Sequence, residues 1–354
     1  MGLPEINIQF QTLAATAIAR SARGIVALIL KDSTRSTFDT KIYTDATQID
    51  PLDWTAANLD YINKTFLGAP TKVIVERIDA AVVDYSDVLA RLINKKWNYL
   101  AVPEIAEGDV ATVSTWIKSQ RDTDKKTFKA VLPNSISDHE GVINFAGTGI
   151  KVGEATYTTA AYCARIAGIL AGLPFIQSST YYVLPEVDSI TETATPDDDI
   201  DAGKLILVND GEHIKIGRGV NSLTTTTATK GAKFKKIKIM EAIDLIRDDI
   251  RDAFENEYVG KVNNFYDNKV LFIAYINLYF KGLQKDEVLD PDFDAVAEID
   301  VDAQTEYLQS IGVDVTNLQT AQIKEYNTGS KVFIKASGSP LDAMEDLDFS
   351  MLIV

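Results

Sequence analysis

The side chains of this sequence that could act as a nucleophile or as soft metal ligands are one cysteine, Cys163, and two histidines, His139 and His213. No local motif joins them, so a Cys/His nucleophilic pair would require a meeting in three dimensions. Cys163 lies in a stretch of small residues, Ala160–Ala171, where a thiol behaves as a small hydrophobe. Two histidines and one cysteine also make an ordinary zinc site improbable. We therefore predict a structural thiol, no metal, no cofactor and no enzymatic activity.

Two short motifs begin like ligand-binding loops and then depart from them. Gly147–Gly153 contains glycines after a predicted strand, but its third glycine is one position late for a dinucleotide loop and no Gly-Lys-Ser/Thr follows. Asp290–Asp294 matches the first three ligands of a calcium loop, but the sixth and twelfth positions are Ala295 and Val301, where glycine and glutamate are needed. We predict a plain turn at the first motif and a solvated acidic loop at the second.

Charge is the next candidate for function. The 354 residues carry 51 acidic and 35 basic side chains, a formal net charge of −16, which disfavours binding to nucleic acid through phosphate neutralisation. Against this background stands a basic run of Lys230, Lys233, Lys235, Lys236 and Lys238 with no acid inside it. Its ordinary interpretation is a solvated helix start. The functional interpretation is a contact of Lys233, Lys235, Lys236 and Lys238 with an acidic surface, either the stretch Lys281–Glu325 of a neighbouring subunit or a second protein.

The elements that would position these residues alternate between strand-like apolar runs and helix-like stretches, which predicts a mixed α/β architecture. The predicted strands are Gly24–Leu30, Thr71–Ile78, Tyr99–Val102, Phe128–Leu132 and Gly141–Phe145, and the predicted helices are Trp54–Phe66, Ser86–Asn94, Asp109–Gln120 and Thr158–Gly172. A stretch at about 33–98 is considered as a small subdomain.

Further along, Ile190–Gly203 is rich in Thr, Asp and Pro and predicts an exposed loop. An Asp-Gly pair between Lys204–Val208 and His213–Ile216 predicts a hairpin. Apolar residues recur every three or four positions between Ile237 and Tyr258, which indicates an amphipathic helix. A second helix, about Asn268–Leu283, is apolar nearly all round and is predicted to be buried.

Both ends of the sequence predict a strand with one apolar face. Near the start, Ile6, Ile8 and Phe10 alternate with polar residues; near the end, Leu347, Phe349, Met351 and Ile353 share one strand face. An unpaired strand of this kind invites pairing with another chain. We therefore divide the chain into an N-terminal arm (1–20), an α/β region (21–230), a C-terminal α/β domain (231–340) and a C-terminal arm (341–354).

Several segments, taken in their order along the chain, resemble the contractile tail sheath family, in particular the sheaths of defective-prophage tails and R-type bacteriocins. The resemblance rests on Gly2–Ile8 with Ala17–Ile25, on Tyr162–Pro174 with Ser179–Tyr181, on Leu207–Gly211 leading to Gly217–Thr225, on Tyr258–Asn264 with Asn327–Ser330, and on Leu341–Leu347. No single segment is diagnostic; their order along nearly the whole chain carries the likeness.

This resemblance implies a multi-domain sheath fold with extended arms. It implies a homo-oligomer of hexameric rings stacked helically around an inner tube, arms that add strands to sheets of neighbouring C-terminal domains, and contraction that drives the tube through a cell envelope. The implied partners are the tube, baseplate and tail-terminator proteins, and the implied location is the bacterial host cytoplasm during assembly, then the particle. With no signal-like N-terminus and no apolar window near 20 residues, neither export nor membrane insertion is expected. The alternatives are an α/β hydrolase-type enzyme with an unrecognised site and another self-assembling surface protein.

Overall fold

A seven-stranded sheet organises the larger part of the chain, in a computed structural model that describes residues 23–82 and 84–353. The chain divides into two units. The large unit comprises 23–244 and 342–353 of the described residues, and the small unit comprises Leu245–Leu341. The mixed α/β class expected from the sequence is confirmed.

The sheet of the large unit consists of β1 (Ile25–Lys31), β2 (Thr40–Tyr43), β3 (Lys72–Ile78), β4 (Tyr99–Ala101), β5 (Lys129–Pro133), β6 (Val142–Phe145) and β10 (Lys204–Leu205). It is mostly parallel, in the order β10-β6-β5-β4-β1-β3-β2. Only the edge strand β2 runs antiparallel to its neighbour. Burial on both faces explains why the central strands are continuous apolar runs and not alternating ones.

Helices cover both faces of this sheet. They are α1 (Ala56–Phe66), α2 (Ser86–Leu92), α3 (Glu107–Asp122) and α4 (Thr159–Gly172). One apolar core includes residues of α1 and α4 against one face, and the other includes residues of α2 and α3 against the opposite face. α4 is buried from Ala161 to Leu170. Its Gly168 lies so close to α1 that an added Cβ would stand 2.1 Å from the carbonyl oxygen of Thr65.

The stretch 33–98 is not a separate subdomain. β3, which lies inside it, pairs along its whole length with β1, from Ile25 opposite Lys72 to Lys31 opposite Ile78. Parallel strands of this kind share one buried sheet, so the segment is part of the main core.

Two smaller sheets complete the large unit. β7 (Thr148–Val152) pairs with β8 (Ala155–Tyr157) and β9 (Ser189–Thr191), and β11 (Leu207–Asn209) pairs with β12 (Ile214–Ile216). The stretch predicted as a loop, Ile190–Gly203, contains the end of β9 and the helix α5 (Pro196–Asp201), where proline at the first turn and three aspartates favour a helix start. The predicted hairpin forms between β11 and β12. Lys204 and Leu205, which were predicted to belong to its first strand, pair with β6 instead.

The helix α6 (Ile237–Glu257) begins in a buried ionic network of the large unit. Asp244 accepts hydrogen bonds from Arg121 at 2.9 and 3.0 Å and from Lys129 at 2.9 Å, and Glu241 pairs with Lys129 at 2.9 Å. Burial alone would raise the pKa of Asp244, but the charges of Arg121 and Lys129 hold it well below its usual range. The network ties the first turns of α6 to α3 and β5.

In the small unit, α7 (Tyr266–Lys285) packs against β13 (Val296–Ile299), which pairs antiparallel with β14 (Ile334–Ser337); α8 (Val301–Ser310) and α9 (Thr320–Glu325) complete it. The predicted full burial of the second helix is wrong. Phe272, Ile276 and Phe280 are buried, whereas Leu271 and Leu278 are exposed. Nearly uniform apolarity cannot tell a buried helix from one with an apolar outer face. Within 23–82 and 84–353, no helix is long and apolar enough to cross a membrane.

Candidate functional site at the C-terminal tail

Residues 342–346, here called the tail root, are fastened to the rest of the large unit by acidic side chains, of which Glu345 is the most buried. The Glu345 side chain is 7% exposed. Its Oε1 accepts hydrogen bonds from the hydroxyls of Thr180 at 2.6 Å and Ser178 at 2.8 Å, and its Oε2 lies 3.3 Å from Arg218 Nε and 3.3 Å from Lys236 Nζ. This set of donors from three separate segments is a preformed socket for one acid.

The socket shifts the ionisation of its members. Burial alone would raise the pKa of Glu345, but the hydroxyl donors and Lys236 outweigh it and hold that pKa below its usual value. For Lys236, burial opposes the charge, but Asp342 and Glu345 raise its pKa. The carboxylate of Asp346 raises the pKa of Arg218. Each of these three shifts favours the charged form of Glu345, Lys236 or Arg218, so ionic contacts hold the root.

Residues 347–353, here called the tail, follow directly and are solvent-exposed. Leu347 is 89% exposed, Phe349 74%, Met351 68% and Ile353 84%. Leu352, which would face the other way if this segment formed a strand, is 88% exposed. The structure assigns no strand to these residues. An isolated segment has no ladder partner, so the strand predicted here would form only on another sheet edge. The N-terminal arm residues Ile6, Ile8 and Phe10 lie outside the described residues.

The small unit offers such an edge. On the outer side of β13, the Asn277 side chain satisfies both backbone groups of Ala297. Its Oδ1 accepts a hydrogen bond from the Ala297 amide at 2.6 Å, and its Nδ2 donates one to the Ala297 carbonyl at 3.2 Å. Ala336 of β14 lies opposite Ala297. Because antiparallel residues alternate in the direction of their backbone groups, Ala336 turns its N–H and C=O away from β13, where no described residue pairs with them. β14 is therefore an exposed, unpaired edge among the described residues.

The basic run divides between intrachain and solvent contacts. Lys236 pairs with Asp342 and Glu345, and Lys230 lies 3.0 Å from both carboxylate oxygens of Glu140. Acids of its own tail root already neutralise Lys236 within the subunit, and its predicted contact with another molecule stays a prediction. Lys233 is exposed and Lys235 half-buried, and in the described ranges neither has an acidic partner; Lys238 is half-buried and has contacts of its own.

The other chemistry-bearing residues lie apart from the tail. Cys163 is buried in α4 with its Sγ 3.3 Å from the Thr159 carbonyl oxygen, and burial raises the pKa of its thiol, which disfavours a reactive thiolate. His213 is exposed in the β11–β12 hairpin. Side-chain ligand atoms of Asp122, His139 and Glu140 lie within 4.8 Å of one another, but the ammonium of Lys230 sits on Glu140.

The loop-like motifs also have structural explanations. Gly147–Gly153 contains β7, and Gly153, with a φ of +57°, begins the tight turn into β8. At the acidic loop, the amide of Asp292 donates to Asp290 Oδ1 at 3.0 Å, so one of the supposed ligands is used in the turn itself.

Comparison with known proteins identifies the family to which these features belong. The family model described as "Phage tail sheath protein central domain" matches residues 79–222, and that described as "Phage tail sheath C-terminal domain" matches residues 229–353. A "Tail sheath protein" of Clostridium phage phiCD119 is 40% identical over 361 residues, which cover 98% of each chain. This chain belongs to the phage tail sheath family. The resemblance found in the sequence is confirmed, and the role of the family is structural.

Solved sheath structures share the fold. The sheath tail protein of Desulfitobacterium hafniense superposes with a TM-score of 0.74 at 19% identity, covering 96% of this chain and 98% of that one. The anti-feeding prophage helical sheath in its contracted state gives a TM-score of 0.70 at 12% identity, covering 99% of both chains. At these identities the likeness is one of architecture.

No local sequence signal marks the socket. Glu345 is separated from Ser178, Thr180 and Arg218 by 167, 165 and 127 positions. The signal available was the cluster of acids, Asp342, Glu345 and Asp346, just before an apolar alternating segment, which suggests a fixed root beneath a free strand.

Proposed function

We propose that this protein is the subunit of a contractile tail sheath that polymerises as stacked hexameric rings around an inner tube, through strand exchange by its terminal arms. The observation that carries the proposal is the exposed apolar tail, 347–353, on a root fixed by Glu345. A fixed root restricts where the tail can reach, and a free apolar tail needs a partner outside its own fold.

The acceptor in this proposal is the outer edge of β14 in a neighbouring subunit. Strand addition satisfies exposed backbone groups, such as those of Ala336, and covers one apolar face of the added strand. The assignment of Leu347, Phe349, Met351 and Ile353 to the buried face follows from strand alternation. Ile6, Ile8 and Phe10 would play the same part at the other end of the chain.

The energetics favour a lattice over isolated pairs. Burying four apolar side chains contributes about 6–12 kcal/mol at about 1.5–3 kcal/mol each. Ordering seven backbone positions costs about 7–14 kcal/mol at about 1–2 kcal/mol each. One link is thus near break-even, and several links per subunit make each further one effectively intramolecular. Firm assembly from weak links permits subunits to change their packing while they stay joined.

Contraction, the tube partner and the baseplate enter as part of the same proposal. Contraction and the baseplate contact are supported by the fold shared with the anti-feeding prophage sheath, whose structures include a contracted helical sheath and a baseplate. We assign the exposed Lys233 and the half-buried Lys235 to an electrostatic contact with an acidic surface of a neighbour or of the tube. Host-cytoplasmic assembly, a tail-terminator partner and a purely structural, non-enzymatic role belong to the same proposal.

Deletion of Leu347–Val354 tests the proposal. Negative-stain electron microscopy of the purified protein is expected to show helical tubes or polysheaths for the full chain and unassembled particles for the truncated chain. The matched control is replacement of both Lys233 and Lys235 by glutamate, which is expected to change the salt dependence of assembly but to keep the tubes. Tubes of unchanged length and abundance after the tail deletion would contradict strand exchange by this arm.

A further inference from the structure

The small unit contains a cavity of about 480 Å³ with an apolar and a polar side. The aromatic rings of Phe254, Tyr258 and Phe272 line the apolar side, with centroids of Tyr258 and Phe272 4.5 Å apart. Asn264 and Lys269 contribute to the polar side. Its lining also includes residues 329, 330 and 332, which lie two to five positions before the start of β14. The cavity thus adjoins, in sequence, the edge strand described above.

Lys269 is a buried cation without a counter-ion among the described residues. It is 4% exposed, and its Nζ has one hydrogen-bond partner, the Thr328 Oγ1 at 3.0 Å. That hydroxyl donates its own hydrogen bond to the Lys331 carbonyl oxygen at 2.6 Å. Burial lowers the pKa of Lys269, and no acidic side chain opposes the effect. Buried charges are ordinarily paired, because the desolvation free energy of an ammonium is not offset when some of its N–H donors have no partner.

A second polar atom at this cavity also lacks a partner. Asn264 Nδ2 donates to the carbonyls of Gly329 and Lys331 at 2.7 and 2.9 Å, whereas its Oδ1 is buried and accepts no hydrogen bond. The cavity therefore presents an unsatisfied cationic donor and an unsatisfied acceptor beside an aromatic wall. A peptide segment with a carboxylate, an N–H and an apolar side chain supplies all three complements, whereas a free carboxylate such as acetate supplies only the first.

The tail has this composition. Asp348 is exposed and has no ion-pair partner within the described ranges, and Phe349 beside it is 74% exposed. At about 3.3 Å per residue the seven tail residues extend about 23 Å, whereas the four residues of β14 extend about 13 Å. A tail paired with β14 would therefore project about three residues beyond it. If residues 350–353 run parallel to β14, the overhang begins at Leu347–Phe349 on the side of residues 329–332.

We propose that this cavity receives the tail of a second copy of the chain, with the Asp348 carboxylate on the Lys269 ammonium and Phe349 against the aromatic wall. The inference rests on the proposed function and deepens it, because it fixes the direction of the added strand. It also makes the buried ammonium a recognition element, whose cost in the free subunit is recovered on assembly.

A double-mutant cycle on the full chain tests the pair. Lys269→Met and Asp348→Asn are each expected to raise the critical concentration for assembly, measured by sedimentation and electron microscopy, by about 10- to 100-fold, the range for a hydrogen bond to a charged group. The double variant is expected to be no worse than Lys269→Met alone. Glu154→Gln, at an exposed acid in the β7–β8 turn that has no part in the tail or its root, is the control and is expected to have little effect.

Thermal unfolding of the unassembled chain separates recognition from a structural role. Lys269→Met removes an unpaired buried cation while keeping its apolar stem, so its Tm is expected to equal or exceed that of the wild type even though assembly weakens. A lower Tm, additive effects of the two substitutions, or normal assembly of Asp348→Asn would overturn the pairing.

If excess acetate blocks assembly of the wild type to the same extent as Lys269→Met, the cavity takes small carboxylates and the tail is not its occupant. Failure of the cycle while the tail deletion abolishes assembly would refute this inference alone; normal assembly without the tail would refute both.

Discussion

Replacing Glu345 by glutamine should release the tail root while leaving the rest of the fold intact. The substitution keeps the shape of the side chain but removes the charge that accepts hydrogen bonds from Thr180 at 2.6 Å and Ser178 at 2.8 Å. It also turns an amide donor toward a site built from donors. Hydrogen bonds to a charged group contribute about 1.5–3 kcal/mol each and neutral ones about 0.5–1.5 kcal/mol. Loss of the charge from the two hydroxyl contacts should therefore weaken docking of the root by about 2–3 kcal/mol, roughly 30- to 150-fold.

Limited proteolysis of the unassembled chain measures this change directly. Cleavage within or just after 342–346 should accelerate by up to that factor, whereas cleavage in the central sheet should not change, because local opening of the root does not require global unfolding. The matched control is Asp346→Asn. Asp346 also pairs with Arg218, but its side chain is 81% exposed, and an exposed pair contributes at most about 1 kcal/mol.

Both substitutions remove one negative charge, so a difference between them reports the burial of Glu345. Equal acceleration by Glu345→Gln and Asp346→Asn, or none by either, would refute the socket. The pH dependence gives a second check. Since the pKa of Glu345 is lowered in the folded state, its contribution should be complete above its ordinary value of 4.5 and should be lost as pH falls below it.

Three further predictions concern assembly and stability. Met351→Ser should impair tube formation by sedimentation assay more than Leu352→Ser, although Leu352 is the more exposed, because alternation places only Met351 on the buried strand face; the reverse order would contradict the assigned face. Asp244→Asn should lower the free energy of unfolding at pH 7 by about 3–5 kcal/mol and flatten the loss of stability below pH 4, which chemical denaturation at several pH values can measure, and an unchanged pH slope would contradict the buried network. Gly168→Ala should destabilise by several kcal/mol in the same assay, whereas Gly153→Ala, where an added Cβ meets nothing, should cost only about 1 kcal/mol of backbone strain.

Sequence reasoning recovered the elements whose pattern depends on local physics. Continuous apolar runs predicted the parallel strands β1 and β3, and the Asp-Gly turn predicted the β11–β12 hairpin. The helix α7 shows the limit, since apolar composition alone could not reveal that Leu271 and Leu278 are exposed.

The candidate site was foreseen only in part. Alternation of Leu347 through Ile353 is a local pattern and could be found, whereas the socket around Glu345 joins residues more than 100 positions apart. For the same reason Lys236 was predicted to contact another molecule, although it pairs with Asp342 of its own chain. Charge runs show which residues seek partners, but the partners are fixed by the tertiary fold.

A cryo-electron microscopy map of the assembled tubes would test the central claim most directly. We predict that part of residues 347–353 of one subunit forms a strand hydrogen-bonded to Ile334–Ser337 of another, with the alternate side chains of Leu347, Phe349, Met351 and Ile353 buried against that second subunit. A tail that folds back on its own subunit, or a β14 edge that remains unpaired in the assembled tube, would contradict it.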